Sequence, residues 1–261
     1  MRPYLALARA SARSVLTYRL TFVFSMFGLI FQLLALLAIW HAVIGAGQVN
    51  GLTWPQMKSY LLVAFSCGAL VSLYTDFGMA ARIQSGMVAV DLTRPIDYQK
   101  ARLAETVGGV WIELLVAALG WCGVITLLGT IFWPDPVHLL LFVLSLAAVV
   151  PLKFLVVYIT GLACFWTQNY LGINWARVAV VNLLSGALIP LSFLPSWFGT
   201  VAEYLPFAGI TSTPALILAG DLHGLAAVRG LLLQVVWALL LWLLARATWA
   251  TAVRQLTVHG G

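Results

Sequence analysis

The sequence predicts an all-α polytopic membrane protein, with six transmembrane helices, an N-terminal interfacial helix and a re-entrant outer-leaflet hairpin between spans five and six. Three observations predict it. Of 261 residues, 62% are hydrophobic and only 8% are charged, where soluble domains carry roughly 25% charged residues; mean hydropathy is +1.01. Runs of about 20 apolar residues recur, the length needed to cross a hydrocarbon core of about 30 Å. The basic residues stand at the ends of those runs. Segments of about 10 residues alternating in polarity, the mark of a transmembrane barrel, do not occur.

The first nineteen residues form an amphipathic pattern. At about 100° per residue, Arg2, Arg9 and Arg13 fall together, while Tyr4, Leu7, Val15 and Tyr18 fall nearly opposite. This is the pattern of a helix lying in the membrane interface, arginines towards anionic headgroups and apolar side towards the acyl boundary. Six spans follow, roughly 20–44, 58–80, 101–131, 138–165, 174–190 and 226–250. The first apolar run is much longer than the h-region of about 7–15 residues in a cleavable signal peptide. The links at 45–57 and 132–137 carry Gly, Asn or Pro, and the link at 166–173 is short and polar. Orientation follows from Lys and Arg: eleven collect on the side of both termini, two (Lys58 and Arg229) on the other, and Lys153 falls inside a span. Both termini are therefore expected in the cytoplasm.

Between the second and third spans lies a polar island, residues 82–102. It holds four of the fourteen Lys and Arg residues and two of the eight acids, a concentration that requires water and points to a partner. Residues 191–224 are apolar yet broken by Pro195, Pro206 and Pro214, each of which removes a backbone donor. One straight span cannot form there; two short helices that dip into the outer leaflet and return can, if other helices shelter them.

Two charges sit at membrane depth. Glu113 lies about 11 residues above Arg102, and Lys153 about 12 above Phe165, so both stand roughly 16–18 Å up their helices. An isolated charge there costs several kcal/mol, and consecutive spans are usually neighbours, so the pair is expected to form an intramembrane ion pair. It would brace the third and fourth spans or mark a polar spot on a pathway. The brace is favoured, because a paired charge is a poor stand-alone binding site. Ala64 with Gly68, Gly108–Gly109, Gly120, Gly123 and Gly161 are small residues that let membrane helices approach closely, within the chain or across a dimer interface.

Several function classes are excluded. The dispersed basic residues follow membrane orientation, not a nucleic-acid face. His41, His138, His223 and His259 are far apart and make no metal motif. Cys67, Cys122 and Cys164 sit inside apolar runs, without CxxC spacing. There is no GlyxSerxGly elbow and no GlyxxxxGlyLys[Ser/Thr] loop, so any ATP-driven step belongs to another polypeptide. No enzyme activity or cofactor is expected on this chain.

Two local motifs carry a resemblance. Gly86 followed by Asp91-Leu92-Thr93-Arg94-Pro95 is similar to a Gly…Asp-Leu-Leu-Arg-Pro pattern, with Thr93 where Leu is commoner. Ser185-Gly186-Ala187-Leu188-Ile189-Pro190, then Phe193-Leu194-Pro195 with Trp197, then Leu205-Pro206-Phe207 with Pro214 and Gly220, resembles a fifth span and re-entrant hairpin. In this order, and with this topology, the chain resembles the membrane permease subunits of type-2 ATP-binding-cassette exporters over essentially its whole length. The resemblance implies a dimer with a second permease subunit, identical or related, around a central pathway. Two cytoplasmic ATPase subunits would carry ATP and Mg, and the complex would sit in a cell membrane, a bacterial inner membrane. Residues 83–100 would be the main coupling element. Gln84, Gly86, Asp91, Thr93, Arg94, Pro95 and Asp97 are the expected ATPase contacts, with Asp91 and Arg94 foremost. Arg94 could equally serve as an orientation charge beside headgroups. Thr167, Gln168, Asn169 and Tyr170 would make a second, smaller contact, and the interfacial helix would transmit movement laterally. The competing readings are an ion-coupled secondary transporter using Glu113, and a non-transporting membrane scaffold; the three-plus-three repeat of many secondary transporters does not occur here.

Overall fold

The computed structural model describes the backbone of residues 2–255 except 18, 46, 72, 73, 130 and 168, and the side chains of these residues except 2, 14–17, 19–23, 25, 26, 74–77 and 255. Eleven α-helices occur among the described residues: α1 Arg2–Thr17, α2 Arg19–Ile44, α3 Trp54–Ala69, α4 Tyr74–Gln84, α5 Val88–Leu92, α6 Tyr98–Leu128, α7 Pro136–Leu162, α8 Tyr170–Leu184, α9 Ser196–Tyr204, α10 Ser212–Ala219 and α11 Gly224–Ala252. The chain is thus an all-α membrane protein with one small addition. Gln48–Val49 (β1) and Leu52–Thr53 (β2) pair antiparallel. Asn50 and Gly51 between them have φ of 49° and 82°, the positive values that a two-residue type I′ hairpin demands. The Asn-Gly dipeptide carried that signal in the sequence.

Four helical stretches among the described residues are long and apolar enough to cross a membrane unaided: Phe27–Ile44 within α2, α6, Pro136–Phe165 with α7, and α11. α7 is the centre of the fold. Val149, Leu152, Phe154, Leu155, Val157, Tyr158 and Leu162 on it are all buried, and α4, α10 and α11 pack against it. Gln234, Ser145 and Gly209 form a buried polar cluster inside this packing. Gln234 of α11 accepts from Ser145 Oγ at 2.9 Å and donates to the Gly209 carbonyl at 2.7 Å.

The expected second span, 58–80, is two helices. α3 ends at Ala69 and α4 begins at Tyr74. Leu70 is extended, with φ −66° and ψ 137°, and Val71 takes φ +53°, a costly conformation for a β-branched residue, of order 1–3 kcal/mol. No proline marks the interruption.

α1 lies along the N-terminal half of α6. Gly108 is the reason it can. A Cβ at that position would collide with the Ala8 carbonyl, so the two backbones touch where only glycine fits. At the opposite end, α8 stops at Leu184 and Gly186 turns the chain with φ +77°. The chain runs out through α9 and returns: the Ser212 N–H donates to the Ser185 carbonyl at 3.0 Å, closing the base of the excursion. Tyr60 Oη reaches the Gly186 carbonyl at 2.7 Å and fixes this base against α3.

Candidate functional site

The loop from α4 to α6 is built around one carboxylate. Gly86, with φ +73°, ends α4 by the left-handed turn that glycine allows. The chain then forms the short helix α5. Asp91 in α5 is buried (6% exposed) and faces inward. Arg82 grips it with both ends of its guanidinium, Nε at 2.9 Å and Nη2 at 2.7 Å, the bidentate geometry that makes such pairs strong. Arg102 of α6 approaches from the other side at 3.8 Å and also pairs with Glu105 at 2.8 Å. Burial pushes the Asp91 carboxyl up, but the hydrogen bonds from Arg82 and the charges of Arg102 and Arg82 outweigh it and hold it below the ordinary carboxylate value. One carboxylate therefore ties α5 to both α4 and α6.

The opposite face of the loop is open. Met87, Val90 and Leu92 are exposed, as are Gln84, Gly86, Thr93, Arg94 and Pro95. Thr93 Oγ1 donates to the Val90 carbonyl at 2.8 Å and closes α5. Asp97 is half-buried. It caps α6 by accepting from the Lys100 N–H at 2.9 Å and pairs with Arg246 of α11; burial opposes this, but the cap and the arginine hold its carboxyl below the usual value. Its own N–H donates to Tyr4 Oη of α1 at 3.2 Å. Tyr98 stacks on Trp249 at 4.3 Å and lies under Arg102 at 5.0 Å. The loop is thereby tied to α1, α4, α6 and α11.

The break after α3 is the other concentration of polar contacts. Lys153 of α7 donates to the carbonyls of Cys67 and Gly68 at 2.7 and 2.9 Å and to that of Leu70. These are carbonyls that the end of α3 leaves without intrahelical partners. Glu113 of α6 accepts the Val71 N–H at 2.7 Å. The two residues expected to pair thus both converge on residues 67–71, where their described contacts satisfy freed backbone groups. Sequence reasoning placed both charges at the same depth but had no signal for the break that they serve.

The match of a family model decides the family. The model of the ABC-2 family transporter protein covers residues 24–260. The chain belongs to the ABC-2 transporter family. None of the curated proteins compared with it matches. The family is one of membrane permeases of ATP-binding-cassette transporters, which associate with a cytoplasmic ATPase component; this chain is thus a membrane transport component of a multi-pass kind.

Within this ABC-2 permease the remaining expected residues are placed as follows. Thr167 is half-buried, and its Oγ1 accepts from the Asn169 N–H at 3.2 Å. Asn169 is exposed and caps α8, accepting from the Gly172 N–H at 3.1 Å. Tyr170 is buried, whereas its neighbours Trp166 and Leu171 are exposed, so the open surface of this turn carries apolar side chains beside Asn169. Gln168 lies outside the described residues. Arg9 and Arg13 of α1 are exposed, and Tyr4 and Leu7 are half-buried; the side chains of Arg2, Val15 and Tyr18 lie outside the described residues, as does His259. Lys58, counted with the outer charges, is buried and donates to the Leu128 carbonyl at 2.9 Å, placing a cation at the negative end of α6.

Proposed function

We propose that this chain is the permease subunit of an exporter, paired with a second permease subunit, identical or related, and driven by separate cytoplasmic ATPase chains that hold ATP and Mg. In this reading the two half-length helices α3 and α4 act together as the second span, and α8 as the fifth, giving six. Residues 191–224 are the re-entrant outer-leaflet hairpin, supported by the contact of Ser212 with Ser185 at its base. Residues 1–19 lie in the cytoplasmic interface, with Arg2, Arg9 and Arg13 towards headgroups. Both termini and residues 82–102 face the cytoplasm of a bacterial inner membrane.

The observation that carries the reading is the two-sided construction of α5. Its inner side is latched through Asp91 to α4 and α6, and its outer side presents Met87, Val90, Leu92 and Arg94. Apolar residues exposed beside a cation on a water-facing loop fit a protein partner, and a rigid attachment to two helices suits transmission of that partner's movement. Arg94, Gln84, Thr93 and Pro95 are the contact residues; Asp91 and Asp97 hold the element in shape. Thr167, Gln168, Asn169 and Tyr170 supply the second contact, with Tyr170 as its buried support. Glu113 and Lys153, joined as an ion pair or through the backbone between them, brace the broken span.

The test is reconstitution of the tagged chain with its ATPase. Wild-type chain should retain the ATPase and stimulate its hydrolysis. Val90→Asp with Arg94→Glu should abolish stimulation while the permease remains folded. Transport that proceeds without any ATPase and is lost in Glu113→Gln would instead establish ion coupling; a chain that retains no ATPase and moves nothing would be a scaffold.

A further inference from the structure

A second polar constellation lies far from the cytoplasmic loop, where α9, α10 and the start of α11 meet. They enclose a cleft of about 460 Å³, within the range of about 300–1,000 Å³ of small-molecule sites. Its polarity is graded. Arg229 and Glu203 stand at the mouth, both exposed. Thr213 and Trp237 come next, and Leu216, Leu222 and Leu233 line its walls. The deep polar group, Gln234, is fully engaged with Ser145 and Gly209, so it closes the cleft rather than calling for a ligand. Trp237 lies eight residues beyond Arg229 on α11, about 12 Å along the helix axis.

The arginine is pre-positioned. Its guanidinium carbon lies 5.1 Å from the centre of the Tyr204 ring, and Nη2 donates to Tyr204 Oη. Tyr204 is itself held, since its carbonyl accepts from Trp237 Nε1 at 2.8 Å. Among the described residues no carboxylate pairs with Arg229, although Glu203 lines the same cleft. A fixed guanidinium with open donors is a phosphate receptor, and a carboxylate beside it accepts an ammonium. A head that is charged at the mouth, above hydrocarbon walls that run inward along α11, is the profile of a membrane amphiphile.

We infer that this cleft binds one phospholipid whose headgroup carries both a phosphate and an ammonium, of the phosphoethanolamine type. Arg229 takes the phosphate, Glu203 the ammonium, and an acyl chain runs past Leu222 and Leu233. The site needs only that the chain is embedded in a membrane, so it stands whether or not the chain exports.

The test is native mass spectrometry of the full chain, in whatever complex it purifies, after delipidation and titration with phosphatidylethanolamine, phosphatidylglycerol and inorganic phosphate. One phosphatidylethanolamine should bind at least about tenfold more tightly than phosphatidylglycerol. Arg229→Gln should lose about tenfold in its affinity, and Glu203→Gln should erase the preference between the two lipids. Leu225→Trp, at a mouth residue that is 88% exposed, should block binding without touching the charges, which guards against misfolding of the charge variants. Equal binding in Arg229→Gln, no effect of Leu225→Trp, or binding of inorganic phosphate as tight as that of the lipid would each overturn the inference. Loss of ATPase stimulation with lipid binding intact would count against the exporter reading alone.

Discussion

The loop at 82–102 and the break at 67–71 both gather charged residues, and they differ in what those residues do for the backbone. In the loop the charges compensate one another: Arg82, Asp91, Arg102 and Glu105 form a connected set, and the backbone needs little from them. At the break the charges also serve the backbone: Lys153 donates to three carbonyls and Glu113 accepts one N–H. Water explains the difference. A loop that water reaches can leave peptide groups to the solvent and use side chains to set its shape. At the break the chain leaves its helix among buried residues such as Cys67, Leu70 and Val71, and side chains from α6 and α7 meet the freed groups. Removing a charge should therefore be costly at the break and cheap in the loop.

The largest effect is expected at the break. Lys153→Met keeps length and apolar packing but withdraws the donors from the Cys67, Gly68 and Leu70 carbonyls. An unsatisfied buried acceptor costs about 1–3 kcal/mol, so the permease should lose about 3 kcal/mol or more, read as a lower unfolding midpoint in detergent. A loss below about 1 kcal/mol would show that the break does not depend on this side chain, and the contrast with the loop would fail.

Next comes the seam that joins the loop's neighbourhood to α1. Gly108→Ala places a methyl group against the Ala8 carbonyl, and the atom it meets is backbone, which cannot rotate away. Overpacking of this kind costs about 1–3 kcal/mol. α1 should separate from α6, so a cysteine placed at Ala8 should become reactive to a water-soluble maleimide. An unreactive Ala8 position in that variant would mean the seam is held by other contacts.

Within the loop itself, Asp91→Asn should cost about 1–2 kcal/mol, because Arg82 is partly exposed and its side of the pair is screened, while the buried Asp91 loses its charge-assisted hydrogen bonds. Its pH dependence has a definite sign. The Asp91 carboxyl titrates below its ordinary value in the folded chain. The stability it contributes is therefore complete above the ordinary carboxylate range and is lost as pH falls through the lowered value. The wild-type midpoint should fall on acidification more steeply than that of Asp91→Asn. Parallel acid limbs would remove Asp91 from the account.

The loop was more legible in the sequence than the break, for a physical reason. A cluster of charges in a chain of low charge density stands out by composition. What composition could not show was that Asp91 folds inward to Arg82 and Arg102, since Arg102 lies eleven residues away on another helix. At the break the anchors Glu113 and Lys153 were visible, because membrane-depth charges are rare. Their object was hidden. Residues 66–74 contain no proline, and an apolar run with one glycine reads as a continuous helix. The pairing expected between the two charges rested on the rule that like depths meet. The structure brings both side chains to residues 67–71, Glu113 to the Val71 N–H and Lys153 to the carbonyls of Cys67, Gly68 and Leu70. The hairpin at 48–53 was legible in Asn50-Gly51, a dipeptide easily passed over inside a link.

The smallest effect on stability is expected at Arg94, and it is the sharpest test of what the loop is for. Arg94 is exposed and lies outside the ion-pair set that fixes α5, so Arg94→Ala should change stability by less than about 0.5 kcal/mol. If the outer face of α5 meets an ATPase, the same substitution should still reduce stimulated hydrolysis severalfold, because rim charges steer and orient a partner even where they add little affinity. A charge that only orients the chain in the membrane predicts otherwise: hydrolysis unchanged, and weaker retention by anionic vesicles. Lys153→Met would disturb hydrolysis and stability together; Arg94→Ala should separate them. That separation assigns the loop's charges to two tasks, shape on the inner side and contact on the outer, and no residue at the break permits the same division.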